Sequence, residues 1–297
     1  STYGLPRADS YALERVEVIR GPSSVTYGQA QPGGLVNLVS KRPTEDTLRE
    51  LRLSAGSDDF FELAGDFSGK VDDEGKLLYR LAFVGNDANS EVDYNDAKRK
   101  MVAPSLTWNI SDDTQLTVLA VEQHDEQTYS FNTHFTSNVL NYFSRNFGGA
   151  EVFDREFGFF DGEEDFNKFD RDYRSVGYEF SHAFNDTWSF KQNLRYDEVE
   201  LDYRTLNSAL PGTNLVAGTL GRSASRIHED LHALAVDNQL LSHFNTGSIS
   251  HDVLIGLDWR YSQADEENYT GTASTISYIN PEYGSPVGSL SLSRDRD

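Results

Sequence analysis

The sequence predicts an all-β fold, an antiparallel β-barrel of the membrane-spanning kind, with a leading segment of different character. Three observations carry this reading. Apolar and polar residues alternate with a period of two over most of the chain after Leu48. Short acidic turns and longer links alternate between the resulting strands. Finally, no stretch of the 297 residues approaches a transmembrane helix in length and apolarity, a limit that does not touch alternating barrel strands.

The strands follow in order. "FFELAGDFSG" sets Phe61, Leu63 and Phe67 on one face. In "KLLYRLAFVG" Leu77, Tyr79, Leu81 and Phe83 share a face, with Arg80 on the other. "MVAPSLTWNI" places Val102, Pro104, Leu106, Trp108 and Ile110 against Ala103, Ser105, Thr107 and Asn109. "RSVGYEFSHAF" aligns Val176, Tyr178 and Phe180, and "TWSFKQNLRYD" aligns Trp188, Phe190, Leu194 and Tyr196. "DVLIGLDWRY" gives Val253, Ile255, Leu257, Trp259 and Tyr261, backed by Asp252, Asp258 and Arg260. About nine strands, each with one apolar and one strongly polar face, are expected between Leu48 and Asp265, and no helix pattern competes.

Every second connection is a short turn: "VDDEG" (71–75), "SDDT" (111–114), "FNDT" (184–187) and "HFNTGSISH" (243–251). Between them lie the links 86–98, 126–172 and roughly 205–229, with a short one at 57–59. Long loops at one end and tight turns at the other are the signature of an outer-membrane barrel, with aromatics near strand ends as its girdles. A formal net charge of −22 argues against nucleic-acid binding, and zero cysteines exclude disulfides and thiolate metal sites. The chain starts at Ser1 without an initiator Met or signal segment, so a preceding portion is expected.

The segment before the first barrel strand, "ERVEVIRGPSSVTYGQAQPGGLVNLVSKRP", carries two short apolar runs, 15–19 and 35–39, among turn signals. Its charges are intolerable toward lipid but suit a polar lumen wall. A phosphate loop does not fit, because no Gly-Lys-Ser/Thr and no helix pattern follow the glycines.

"YALERVEVIRGPSSVTYGQAQPGGLVNLVSKRP" resembles the C-terminal end of the plug domain of TonB-dependent outer-membrane receptors. The matching positions are Glu14, Arg15, Val16, Glu17, Arg20, Gly21, Pro22, Tyr27, Gly28, Pro32, Gly33, Gly34, Asn37 and Lys41-Arg42-Pro43. The later strands resemble the ferric-siderophore branch, close to ferric-hydroxamate receptors. That resemblance implies a fragment: residues 1–47 as the C-terminal part of a mixed α/β plug, and 48–297 as the first part of a barrel of about 22 strands. It further implies that Arg15 and Arg20 pair with barrel carboxylates, with Glu62, Asp66 and Glu179 as candidate partners. Tyr11 would face the ligand from the plug, Tyr129 and Phe131 would join it from the longest loop, and Tyr3 is a further candidate. An aromatic cup suits a bulky, largely neutral ferric chelate.

Two motifs compete. "HEDLH", His228 to His232, matches the zinc-protease pattern His-Glu-x-x-His. On a strand, however, residues four apart lie about 13 Å apart, too far for one zinc ion. The acidic sets Glu122, Asp125, Glu126 and Glu163, Glu164, Asp165 lack calcium-loop spacing and read as solvated loop charges. The expected function is TonB-dependent import of ferric siderophores, with no catalytic residues, metal site or cofactor, iron entering only as chelated substrate. Expected partners are the siderophore, the TonB–ExbB–ExbD complex and outer-membrane lipid of a Gram-negative cell. Receptors for heme, cobalamin or a glycan, and a soluble β-rich hydrolase or lectin, are the alternatives.

Overall fold

The computed structural model describes residues 5–21, 33–90, 92–128, 159–214, 217–278 and 280–296. Among them a single 3-10 turn, Ser10–Ala12, leads into twelve strands. These are β1 (Leu13–Arg20), β2 (Gly34–Ser40), β3 (Leu48–Ala55), β4 (Phe61–Lys70), β5 (Leu77–Asn89) and β6 (Asp96–Ser111). β7 (Thr114–Thr128), β8 (Lys168–Ala183), β9 (Trp188–Asn214), β10 (Thr219–Thr246), β11 (Ile249–Ser277) and β12 (Ser291–Arg296) complete the order. β1 and β2 pair only with each other, while β3 to β12 form one sheet in chain order. Each neighbour is antiparallel, as hairpin connections require.

The nine strands expected between Leu48 and Asp265 are β3 to β11, and β12 adds a tenth. The links differ from expectation. The span 205–229 is mostly strand, because β9 runs to Asn214 and β10 starts at Thr219. Likewise β5 and β6 shorten the link 86–98, and β7 and β8 shorten 126–172. The long-loop ends of β9–β11 are small and polar with little alternation, so periodicity could not mark them as strands. Backbone pairing needs none.

The two faces of the sheet invert the burial of a water-soluble protein. Leu53, Leu106, Trp108, Val118, Val176, Ile255, Leu257, Trp259 and Tyr261 are exposed, Leu257 at 70%. The opposite face buries Asp66, Ser68, Arg80, Thr107, Thr117, Gln123, Asp125 and Arg171. Thr107 and Thr117 even share a hydroxyl–hydroxyl bond of 2.9 Å across β6 and β7. An apolar exterior about nine residues tall over a polar interior is the requirement of a lipid-embedded barrel wall.

Turn chemistry at the short-turn end is local. Between β4 and β5, the Asp72 carboxylate accepts from the amides of Lys76 (2.9 Å) and Leu77 (2.7 Å). Gly75 takes φ +70° there, a region open to glycine without cost. At the head of β2, Gly34 has φ +119°, and a Cβ would stand 2.1 Å from the Ile19 carbonyl oxygen. The Pro-Gly-Gly signal therefore has a steric cause at its last position.

Candidate functional site

The polar face of the sheet receives the leading segment. Its 3-10 turn nests Ala12 among Ala64, Val84 and Met101, with Ala8, Tyr11, Ala103 and Val121 around them. Small residues on the wall let the backbone approach, and charges then fix it. Arg80 Nε and Nη2 donate to the two oxygens of Asp66 at 2.9 and 2.8 Å. Arg80 Nη1 reaches Glu14 Oε2 at 2.8 Å and the Arg42 carbonyl at 2.9 Å. Lys41 Nζ closes on Asp66 Oδ2 at 2.8 Å. Arg42 grips Glu179 with two parallel bonds, of 2.7 and 2.5 Å, the geometry in which a guanidinium binds a carboxylate most strongly. The contact to Glu179 raises the Arg42 pKa further above its ordinary value.

A second set lies nearer the long-loop end. Arg99 bonds Asp125 through Nε and Asp9 through Nη1, the latter at 2.6 Å. The Asp9 amide donates to Gln123 Oε1 at 2.7 Å, and Gln123 Nε2 donates to Asp125 at 2.8 Å. Arg171 donates to Asp125 (3.0 and 2.7 Å) and to the carbonyls of Leu5 and Arg7. Residues 5–14 and 41–44 are thus stitched to β4–β8 at two heights, with Asp66, Arg80, Asp125 and Arg171 each matched by an opposite charge.

The expected motif residues take other roles. Arg15 does not reach the wall: its Nε bonds Glu17 at 2.6 Å, two residues along its own strand. Asn37 Nδ2 donates to Glu17 Oε2 at 2.8 Å from the paired strand. Asn37 first, then Arg15, holds the Glu17 carboxyl below its ordinary value. These three residues knit the β1–β2 hairpin. The Arg20 side chain makes no ion pair or hydrogen bond among the described residues, its backbone closing the ladder opposite Gly34. Expectation had assigned the wall contacts to Arg15 and Arg20. The cations that make them are Lys41 and Arg42, which the chain carries along the wall as it leaves β2. Of the candidate partners, Asp66 and Glu179 meet Lys41 and Arg42, and Glu62 meets Arg52 at 3.0 Å.

Tyr11 is tied to the wall rather than free. Its hydroxyl donates to Glu50 Oε1 at 2.9 Å, and Lys41 and Arg52 lie over its ring at 3.9 and 4.9 Å. Burial, then Glu50, pushes its pKa up to about 12. Gly21 (φ +91°), Gly33 and Gly34 frame the hairpin's open end. Tyr3, Pro22, Tyr27, Gly28, Pro32, Tyr129 and Phe131 lie outside the described residues.

The acidic loop after residue 158 is not the solvated run expected. Glu163 is buried, bonding Arg222 Nη2 at 2.7 Å and the Gly284 amide at 2.7 Å. Only Glu164 and Asp165 face solvent. Around this pair, Tyr94, Phe160 and Tyr283 meet in tilted and edge-on contacts with centroids 4.9 to 6.1 Å apart. Burial pushes Tyr283 up to about 12. Asp125, likewise expected in solvent, is 1% exposed. His228 and His232 sit on β10 with separate partners, the Leu201 carbonyl (3.2 Å) and the Tyr196 hydroxyl (2.9 Å). His124, Asp170 and Asp172 form the one His-and-carboxylate group among the described residues with metal-like spacing, half-exposed on the outward face.

Comparison with known proteins adds to this geometry. The profile of TonB dependent receptor-like β-barrels matches residues 104–291, and that of the TonB-dependent receptor plug domain matches residues 1–35. The ferrioxamine B receptor of Salmonella typhimurium LT2 is 34% identical over 285 residues, covering 96% of this chain and 39% of the relative. The ferrichrome outer membrane transporter/phage receptor of Escherichia coli K12 is 32% identical over 287 residues, covering 92% and 38%. Among solved structures, the open form of the ferric-catecholate import receptor Fiu of E. coli K12 superposes with a TM-score of 0.74 at 22% identity. That match covers 96% of this chain and 44% of the other. The chain spans about two fifths of the length of the curated relatives it matches.

Proposed function

The chain belongs to the TonB-dependent receptors, and on that premise we propose that it serves the import of ferric siderophores, of the hydroxamate class, across the outer membrane of a Gram-negative cell. The observation that carries this is the pairing of the two faces. The outside is an apolar band fit for lipid. The inside holds Glu14, Lys41 and Arg42 of the leading segment through the Asp66–Arg80–Glu14–Lys41 cluster and the Arg42–Glu179 pair. A wall that spends its buried charges holding a segment inside is a gated importer rather than an open pore. Strands β3 and β12 are unpaired at the sheet's edges among the described residues. Lipid does not tolerate such edges, so further strands close the barrel.

Gating needs energy, because ligand binding is spent once and cannot reopen the lumen repeatedly. TonB, driven by ExbB and ExbD, supplies the pull in this reading, and the protein acts as a receptor, without catalysis or resident cofactor. Tyr129 and Phe131 contribute aromatic surface from the long loop. Tyr11 contributes ring surface alone, its hydroxyl being bound to Glu50. The relatives' names, for ferrioxamine and ferrichrome, support the hydroxamate class.

The test is growth of a receptor-deleted Gram-negative host carrying the complete gene, under iron limitation, with one ferric siderophore as sole iron source. Growth on ferric hydroxamates that disappears when TonB is deleted is expected. Growth only on catecholate, heme or cobalamin would overturn the substrate class, and TonB-independent growth would overturn the mechanism.

A further inference from the structure

β7 and β8 are neighbours in the sheet, yet the longest link of the chain, residues 129–167, separates them in sequence. Near the root of that link, on the outward face, His124 of β7 stands directly across the ladder from Asp172 of β8. Asp170 lies two residues further along the same strand, and residues two apart on a strand share a face. His124 Nδ1 is 2.9 Å from Asp172 Oδ1 and 3.6 Å from Asp170 Oδ1. One ligand atom from each of the three residues lies within 4.8 Å of the others. The ladder itself holds this group, and no loop has to fold over it.

Zinc bound by imidazole and carboxylate takes bonds of about 2.0–2.2 Å, which sets tetrahedral ligand atoms about 3.3 Å apart. The two distances from the imidazole nitrogen bracket that spacing. Side-chain exposures of 39% for His124, 25% for Asp170 and 32% for Asp172 leave the group open on its outer side. Val176, the last exposed apolar residue of β8 on this face, is about 13 Å along the strand from Asp172. The group therefore stands above the apolar band, in water.

The charge around it calls for a cation. Glu200 lies directly across from Asp172, and Glu126 and Asp202 flank Asp170 on either side. Like charges placed opposite one another destabilise a ladder. Asp202 is met by Arg204 and Arg226, whereas Glu126 and Glu200 are exposed and make no ion pair among the described residues. Of the nearby cations, Lys168 meets Asp170, Lys100 lies across from His124, and Arg174 is taken by Glu122 and Glu198. Four carboxylates, Glu126, Asp170, Asp172 and Glu200, against two lysines leave an excess of two negative charges, which one divalent ion cancels. Carboxylates alone would not choose among such ions. The imidazole does, since ring nitrogen favours zinc and its neighbours over magnesium and calcium.

We propose that His124, Asp170 and Asp172 form a site for one divalent transition-metal ion such as zinc, with water completing its shell. The ion is neither cargo nor catalyst: it staples β7 to β8 at the root of the longest link. Binding displaces Lys168 Nζ from Asp170, a move open to a side chain that is 40% exposed. His124 and Asp172 are 48 residues apart, so no spacing in the sequence announces the site. The inference does not depend on which solute is imported.

The test strips the complete receptor with a chelator in detergent and titrates it with zinc against a chromophoric competitor. One equivalent that depends on His124 is expected, and excess magnesium should not displace it. His124→Ala and Asp172→Asn should each weaken it at least about tenfold, as loss of a ligand must cost no less than loss of an outer partner. His228→Ala, on β10, should leave it unchanged. Zinc should also slow amide exchange at Gln127 and Phe169, which pair at the root of the link, in the native protein and not in His124→Ala. Heat-modifiable gel mobility checks the folding of each variant, and if one of the two ligand variants fails to fold the other carries the comparison. No bound zinc, affinity unchanged in both ligand variants, displacement by magnesium, or exchange that zinc leaves as fast as before would overturn the proposal.

Discussion

Asp66→Asn is the most discriminating single change at the plug contact. The native carboxylate accepts bonds of 2.9 and 2.8 Å from Arg80 and 2.8 Å from Lys41. Asp66 is 3% exposed, Arg80 6%, and the Lys41 side chain 14%. The amide keeps the shape but removes the charge, leaving two buried cations with Glu14 as their nearest counter-charge. Breaking a buried pair on one side costs about 3–5 kcal/mol. With a urea dependence of about 2 kcal/mol per molar, release of the plug should shift down by roughly 1.5–2.5 M. Because the chain has no cysteine, Val39→Cys gives a clean reporter, buried at 7% while the segment is docked and open to maleimide once it leaves. The same titration on Arg15→Gln is the control. Arg15 pairs with Glu17 at 59% and 32% side-chain exposure, worth about 0–1 kcal/mol, so its midpoint should move by less than about 0.5 M. Equal shifts in the two variants, or none in Asp66→Asn, would refute the assignment of the clamp to the Asp66–Arg80–Lys41 cluster.

Glu163→Gln leaves Arg222 buried beside three carbonyls and should loosen the outer loop by about 3–5 kcal/mol, read as faster proteolysis between residues 158 and 168. Slow cleavage equal to the native rate would contradict it. In the β4–β5 turn, hydrogen bonds from the backbone, Lys76 first, hold the Asp72 carboxyl below its ordinary value of 3.8. Its contribution is therefore complete above that value and lost as pH falls through the lower folded value. Amide exchange at Lys76 and Leu77 should stay slow at pH 5 and quicken only below the ordinary carboxylate range, and Asp72→Ala should abolish the protection at every pH. Metal analysis of the folded receptor should find no zinc that depends on His228 or His232. One tightly bound zinc lost in His232→Ala would overturn the strand assignment's chemistry.

The barrel wall was legible because lipid outside and water inside impose opposite chemistry on successive residues. Val253 to Tyr261 could hardly be read otherwise. The hairpin glycines were legible for a steric reason, visible at Gly34. The plug contacts were not. Arg42 and Glu179 are 137 residues apart, and only the register of six strands brings them together. Local sequence favoured Arg15 and Arg20, but Arg15 bonds Glu17 on its own strand and neither arginine meets the barrel wall among the described residues. Glu163 was opaque for a related reason: an acidic run in a loop has no period, so nothing separates the buried carboxylate from its two solvated neighbours. The upper halves of β9–β11 escaped notice because strands above the lipid need no apolar face.

Those upper halves set the distance between capture and passage. Tyr261 closes the apolar band on β11, yet the strand continues to Ser277. Sixteen further residues at about 3.3 Å each, tilted by about 40°, carry the hairpin tips roughly 40 Å above the lipid. Under the proposed function, a chelate would touch the protein well before it reached the membrane, in a zone where the solvent-facing Glu164, Asp165 and Glu267 set the local field. In the proposed import, encounter would be decided by charge in open water, and admission by the clamp far below it. Changing one should leave the other intact, so that capture rate and transport rate respond to different residues of the same wall.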